Sequence, residues 1–122
     1  MIDIIKQFED LIGANYEVII QIGKKYDEYK ARAKRENIDF HLSFIDFDFI
    51  VKQNCYICNI SGKENKLGID RLNNNKGYVH NNVAPCCFNC NRAKNDMDIT
   101  EFRQWITRLN PSHKLALKEQ SK

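Results

Sequence analysis

The sequence predicts an α+β fold in which helices pack around a small β-hairpin and paired cysteines staple the parts together. Three observations predict it. Apolar residues recur at helical spacing near both ends of the chain and across residues 44–51. In the middle, "LGIDRL" and "YVHNNVA" flank the turn "NNNKG". Two Cys-x2-Cys pairs, Cys55/Cys58 and Cys87/Cys90, bracket that hairpin. A chain of 122 residues suits one domain. It has room for a modest core, which a structural metal would reinforce.

The elements follow in order. Ile4, Ile5, Phe8, Leu11 and Ile12 keep a helical period, and "GAN" at 13–15 interrupts it. Ile19, Ile22, Tyr26, Tyr29 and Ala33 mark one face of a second, longer helix. Its far end is basic, with Lys30, Lys34 and Arg35 expected to share much of one face and to touch phosphate. Ser43 and Asp46 have the spacing of a capping box, which predicts a helix over "FIDFDFIVKQ" burying several of Phe44, Phe47, Ile50 and Val51. The density of Phe and Ile keeps a strand as the alternative. After the hairpin, "CFNCNRAKND" opens a short helix. Asp98 and Glu101 cap a last helix with Ile99, Phe102, Ile106 and Leu109 on one face, and Pro111 stops it. The expected division is N-terminal helices over 1–36, a core over 37–110 and a polar tail over 111–122.

Hydrophobic residues make up 43% and charged residues 29% of the chain, as in a folded soluble protein. No apolar run is long enough to span a bilayer, so no membrane partner is expected. "MIDIIKQFEDLIG" carries acids and lacks a basic leader, which sets the expected compartment as the reducing cytoplasm. The net charge of +3 is compatible with a polyanionic partner.

Each Cys-x2-Cys turn converges two thiolates, and two such turns complete the tetrahedral sulfur cage that Zn²⁺ prefers. Cys55, Cys58, Cys87 and Cys90 are therefore the expected ligands of a structural zinc. Cys86 is left over, because the x2 spacing to Cys90 favours Cys87. Four sulfur ligands leave no open position for catalysis at that ion.

The run "GIDRLNNNKGYVHNNVAPCCFNCNRAK" joins a knuckle, an acid at the end of the first strand, an Asn in the returning strand and "CxxCNxxK" on a helix. In this it resembles the HNH endonucleases, and in particular a branch reading DR…N-KGY…NV-P-C--CN--K. The resemblance covers about residues 24–109. It implies a ββα-metal core and hydrolysis of DNA phosphodiesters with Mg²⁺ or Mn²⁺. It implies that Asp70 and Asn91 bind the catalytic cation, that Asn82 holds the loop by backbone hydrogen bonds, and that Lys94 contacts phosphate. Arg71 and Arg92 join Lys94 as expected nucleic-acid contacts. Arg71 is also a departure: the family's usual residue there is a histidine general base, and a guanidinium cannot accept a proton.

Arg71 can instead clamp phosphate or stabilise transition-state charge. His80 is the first substitute for the base. If "NNNKG" pairs Leu72 with Tyr78, His80 falls opposite Asp70 on one face of the hairpin, and a one-residue slip turns it away. Tyr78 is a second substitute, and water activated by metal or phosphate needs neither. His41 and His113 read as structural and tail residues. The expected protein is a DNA endonuclease, its rival a DNA-binding module that has lost its base. Double-strand cleavage would imply a homodimer, and phage, host-defence and mobile-element origins all fit.

Overall fold

The computed structural model describes Ile4, Lys6, Gln7 and residues 16–110. Most of the first predicted helix, the "GAN" break, Pro111, His113 and the polar tail lie outside the described residues.

Helix α1, Tyr16–Arg35, is the long second helix of the sequence. Asn37 closes it in the left-handed conformation (φ 57). The Ile38 N–H then returns to the Ala33 carbonyl, as αL helix endings do. Helix α2, Phe44–Val51, starts from the capping box the sequence predicts. The Asp46 N–H donates to Ser43 Oγ at 3.1 Å, and the Ser43 N–H donates to Asp46 Oδ2 at 3.1 Å. That reciprocal pair settles helix over strand, and the helix buries Phe47 and Val51. Tyr26 and Tyr29 of α1 pack on Phe47 with ring centroids 5.6 and 5.7 Å apart. Leu42, Leu67, Ile69 and Tyr78 complete the core.

Strands β1, Gly68–Arg71, and β2, Val83–Cys86, form a two-stranded antiparallel sheet. Gly68 faces Cys86, Ile69 faces Pro85, Asp70 faces Ala84 and Arg71 faces Val83. The hairpin is thus shorter than the sequence reading expects, and its register differs. Tyr78 does not pair with Leu72. Its N–H donates to the Asp39 carbonyl and its C=O accepts from the His41 N–H, which binds residues 77–79 to the segment after α1. Gly77 is required there, because a Cβ would stand 2.5 Å from the Asp39 carbonyl oxygen. A 3₁₀ turn, His80–Asn82, leads into β2.

Helix α3, Phe88–Lys94, begins at the second knuckle with Cys87 as its N-cap. Helix α4, Ile99–Leu109, is capped by Asp98, whose carboxylate accepts from the Glu101 N–H at 2.8 Å. Of its predicted apolar face only Phe102 is buried, and Ile106 and Leu109 stay exposed.

Candidate metal and phosphate site

The four knuckle sulfurs come together. Cys55, Cys58, Cys87 and Cys90 place their Sγ atoms within 4.8 Å of one another, and the Cys58–Cys87 pair is 3.7 Å apart. A tetrahedral zinc with Zn–S near 2.3 Å has sulfur–sulfur edges of about 3.8 Å, so the cage fits. Burial works against ionising Cys55, but the backbone N–H groups of Cys58, Cys87 and Ile57 outweigh it and bring the thiol down to about 6. Cys86 is outside the cluster. It is buried with its Sγ on the Cys87 carbonyl, and that burial pushes its thiol up.

Asp70 is the next-to-last residue of β1 and is nearly covered, its side chain 8% exposed. Two groups hold its Oδ2. The Tyr56 hydroxyl donates to it at 2.5 Å, and Lys94 Nζ lies 3.0 Å away. Tyr56 sits inside the first knuckle, and its own N–H donates to the Pro85 carbonyl. The knuckle therefore fixes both the sheet and the acid. Burial, followed by the neighbouring Asp70 carboxylate, keeps the Tyr56 phenol protonated and raises it well above its ordinary range. Lys94 is fully buried. Its ammonium is paired with Asp70 by distance without an aligned hydrogen bond. The surface phosphate contact implied for Lys94 is thus not what the fold builds: the last turn of α3 points the side chain inward, under Asp70.

Asn91, on the first turn of α3, donates its Nδ2 to the Ile69 carbonyl at 3.2 Å. Its amide oxygen remains available as an acceptor beside Asp70. Asp70, Asn91, Arg71, Tyr78, Arg32 and Asp96 line a single cavity of about 260 Å³. Arg71 reaches back over the loop, donating to the Asn74 and Lys76 carbonyls at 3.0 and 3.1 Å, with its guanidinium 5.4 Å from the Tyr78 ring centroid. Arg32 donates to the Tyr78 hydroxyl at 3.3 Å, and this hydrogen bond strengthens its already firm protonation.

Asn82 is buried and clamps the loop. Its Oδ1 accepts from the Asn73 N–H at 2.8 Å, and its Nδ2 donates to the Asn73 and Gly77 carbonyls at 3.0 and 2.9 Å. These bonds stand where a longer hairpin would have cross-strand pairs. His80 does not stand opposite Asp70. Ala84 does, and His80 Nε2 turns to Asp46 Oδ2 at 3.3 Å with its side chain 64% exposed. His41 is exposed. Among the described residues no histidine lines the cavity.

The basic end of α1 divides. Lys30 and Lys34 line a groove with Asp27 and Asp39. Arg35 lies with Lys25, Glu28, Tyr29 and Arg32 on the side that meets β1. Helical geometry explains the split, since residues 30 and 34 are one turn apart and residue 35 is a further ~100° round. Arg92 is exposed, its guanidinium 5.9 Å from the Phe88 ring centroid. The sequence placed Arg32 only within the basic end of the long helix, with no tie to the site, and did not single out Tyr56. Their role comes from contacts 46 and 14 residues away, and no local pattern announces such contacts.

No family model matches the chain. An uncharacterized protein of Acanthamoeba polyphaga mimivirus is 38% identical over 78 residues, which is 64% of this chain and 15% of that protein. The chain therefore spans only a small part of that relative's length. Among solved structures, the rare-cutting HNH restriction endonuclease PacI superposes with a TM-score of 0.56 at 20% identity, over 66% of this chain and 70% of that one. With its mixed helices, its two-stranded sheet and its four clustered cysteines, this chain has an HNH-like fold.

Proposed function

We propose that this protein is a zinc-stapled HNH-type endonuclease that hydrolyses DNA phosphodiesters with a divalent cation. The observation that carries the reading is the cavity in which Asp70 and Asn91 meet two arginines. A carboxylate and an amide oxygen suit Mg²⁺ or Mn²⁺, which keeps its remaining positions for water and phosphate. A cation held there would stabilise the leaving oxygen and the charge of the transition state. The chain's own residues do the rest. Tyr56 and Lys94 fix the Asp70 carboxylate, Asn91 is fixed by the Ile69 carbonyl, and Arg71 and Arg32 line the same cavity, where a phosphate would meet them. Of the side chains considered for taking the water's proton, Tyr78 lines the cavity and His80 does not.

A second reading, a DNA-binding module without catalysis, is favoured by one observation: no histidine lines the cavity among the described residues. Plasmid nicking with Mg²⁺, with Mn²⁺ and without either separates the two. Wild type should nick with metal. Asn91→Ala should lose nicking while keeping its zinc and nearly all of its melting temperature, since the one side-chain hydrogen bond it makes among the described residues is to the Ile69 carbonyl. A positioned general base contributes about 10²–10⁴-fold in rate. His80→Ala should show no loss of that size, and Tyr78→Phe should. Binding without nicking under any metal would establish the binding module.

A further inference from the structure

We propose that the cavity takes up phosphate first, through Arg32 and Arg71, and that the divalent cation joins only once a phosphate is present. This rests on the nuclease reading and adds an order and an anion subsite to it.

The argument is one of charge. Arg32, Arg71 and the buried Lys94 stand against Asp70 and Asp96, which leaves one formal positive charge in and beneath the cavity. Asp70 is also committed to Tyr56 and Lys94 through the same oxygen, Oδ2. A free divalent cation entering here adds to a positive field and shares a carboxylate whose charge Lys94 already balances. A phosphodiester meets the opposite situation. Among the described residues neither Arg32 nor Arg71 has a carboxylate within ion-pair distance, and Glu36, outside the cavity, adds only a weaker attraction to Arg32. Arg32 spends one donor on the Tyr78 hydroxyl, and Arg71 spends Nη1 on two loop carbonyls. Each keeps further N–H donors, and guanidinium forks match phosphate oxygens. Tyr78 spaces the two arginines, holding Arg32 by its hydroxyl and Arg71 by its ring. The bound phosphate then brings negative charge and oxygens next to Asp70 and Asn91. That reverses the local field and supplies the outer-facing ligands that Mg²⁺-type ions take from substrate.

The test uses the zinc-loaded full chain, a fluorescent DNA duplex and Mn²⁺ followed by electron paramagnetic resonance. The duplex should bind with no divalent cation added. Mn²⁺ should bind the protein–duplex complex at least tenfold tighter than the free protein. Arg32→Gln, at the surface of α1, should weaken duplex binding by about tenfold, the loss expected for one charged hydrogen-bonding contact, with zinc content and melting unchanged. Lys94→Met should let Mn²⁺ bind the free protein. Should that buried variant not fold, the Arg32→Gln and wild-type arms still decide. Equal Mn²⁺ affinity with and without duplex overturns the proposal, as does unaltered duplex binding by Arg32→Gln. Neither result touches the nuclease reading, which stands or falls on nicking.

Discussion

Asp70 and Lys94 form a unit that cannot be halved cheaply. Both are buried, and 3.0 Å separates Nζ from Oδ2. Asp70→Ala leaves a buried ammonium without its counter-charge, at a cost of about 3–5 kcal/mol. Urea unfolding should show that loss, and Asp70→Ala with Lys94→Met should recover most of it. An Asp70→Ala protein as stable as wild type would mean that Lys94 finds water instead. For this reason Asn91→Ala is the cleaner probe of catalysis. At this scale the sequence was legible where a motif fixes a residue to a backbone position. Asp70 near the strand end, Asn91 after the knuckle and the four clustered cysteines are all of that kind. It was illegible where side-chain direction decides. Nothing in "NRAK" says that Lys94 turns inward, and the side His80 faces depends on a pairing register that the loop, not the strands, selects.

The loop and the long helix carry the elements' share of the proposed function. Residues 73–77 were expected to form a tight turn with the returning strand starting at Tyr78, because Asn and Gly permit one. Pairing with residues 39–41 won instead, since the Asp39 carbonyl and the His41 N–H satisfy Tyr78's backbone and Asn82's amide satisfies Asn73 and Gly77. Such long-range partners are invisible to a local reading. Helix α1 was legible as a helix but not in its facing. Lys25, Arg32 and Arg35 share the side of Tyr29, which meets β1, with one acid, Glu28, while Lys30 and Lys34 sit with two acids. Replacing Arg32 and Arg35 by Gln should therefore weaken DNA binding and flatten its salt dependence by roughly one unit of slope per lost phosphate contact. Replacing Lys30 and Lys34 should do less. Titrations at several salt concentrations measure both, and equal slopes for the two pairs would contradict the assignment.

For the molecule as a whole, the four clustered cysteines tie the two knuckles to a small core, and a zinc ion in that cage would hold it together. Structural zinc binding contributes about 10–16 kcal/mol, which is as large as the total stability of a typical domain, about 5–15 kcal/mol. Strong chelation should accordingly unfold the protein, seen as loss of the near-ultraviolet circular dichroism, and added Zn²⁺ should restore it. A chelated protein that keeps its melting transition would place the stability elsewhere. The sheet at the centre has only two strands, and such a ribbon exposes two unpaired rims. Here both rims are occupied at the same level. On β1 the Tyr29 hydroxyl meets the N–H and the C=O of Ile69, each at 3.2 Å, and Gly68 makes way for it. On β2 the facing residue is Pro85, which has no N–H to offer and whose carbonyl is taken by Tyr56. A foreign strand arriving at this level of either side finds no free pair to zip onto. The same tyrosines that seat the helix and the acid thus also guard the middle of the ribbon against edge-to-edge self-association.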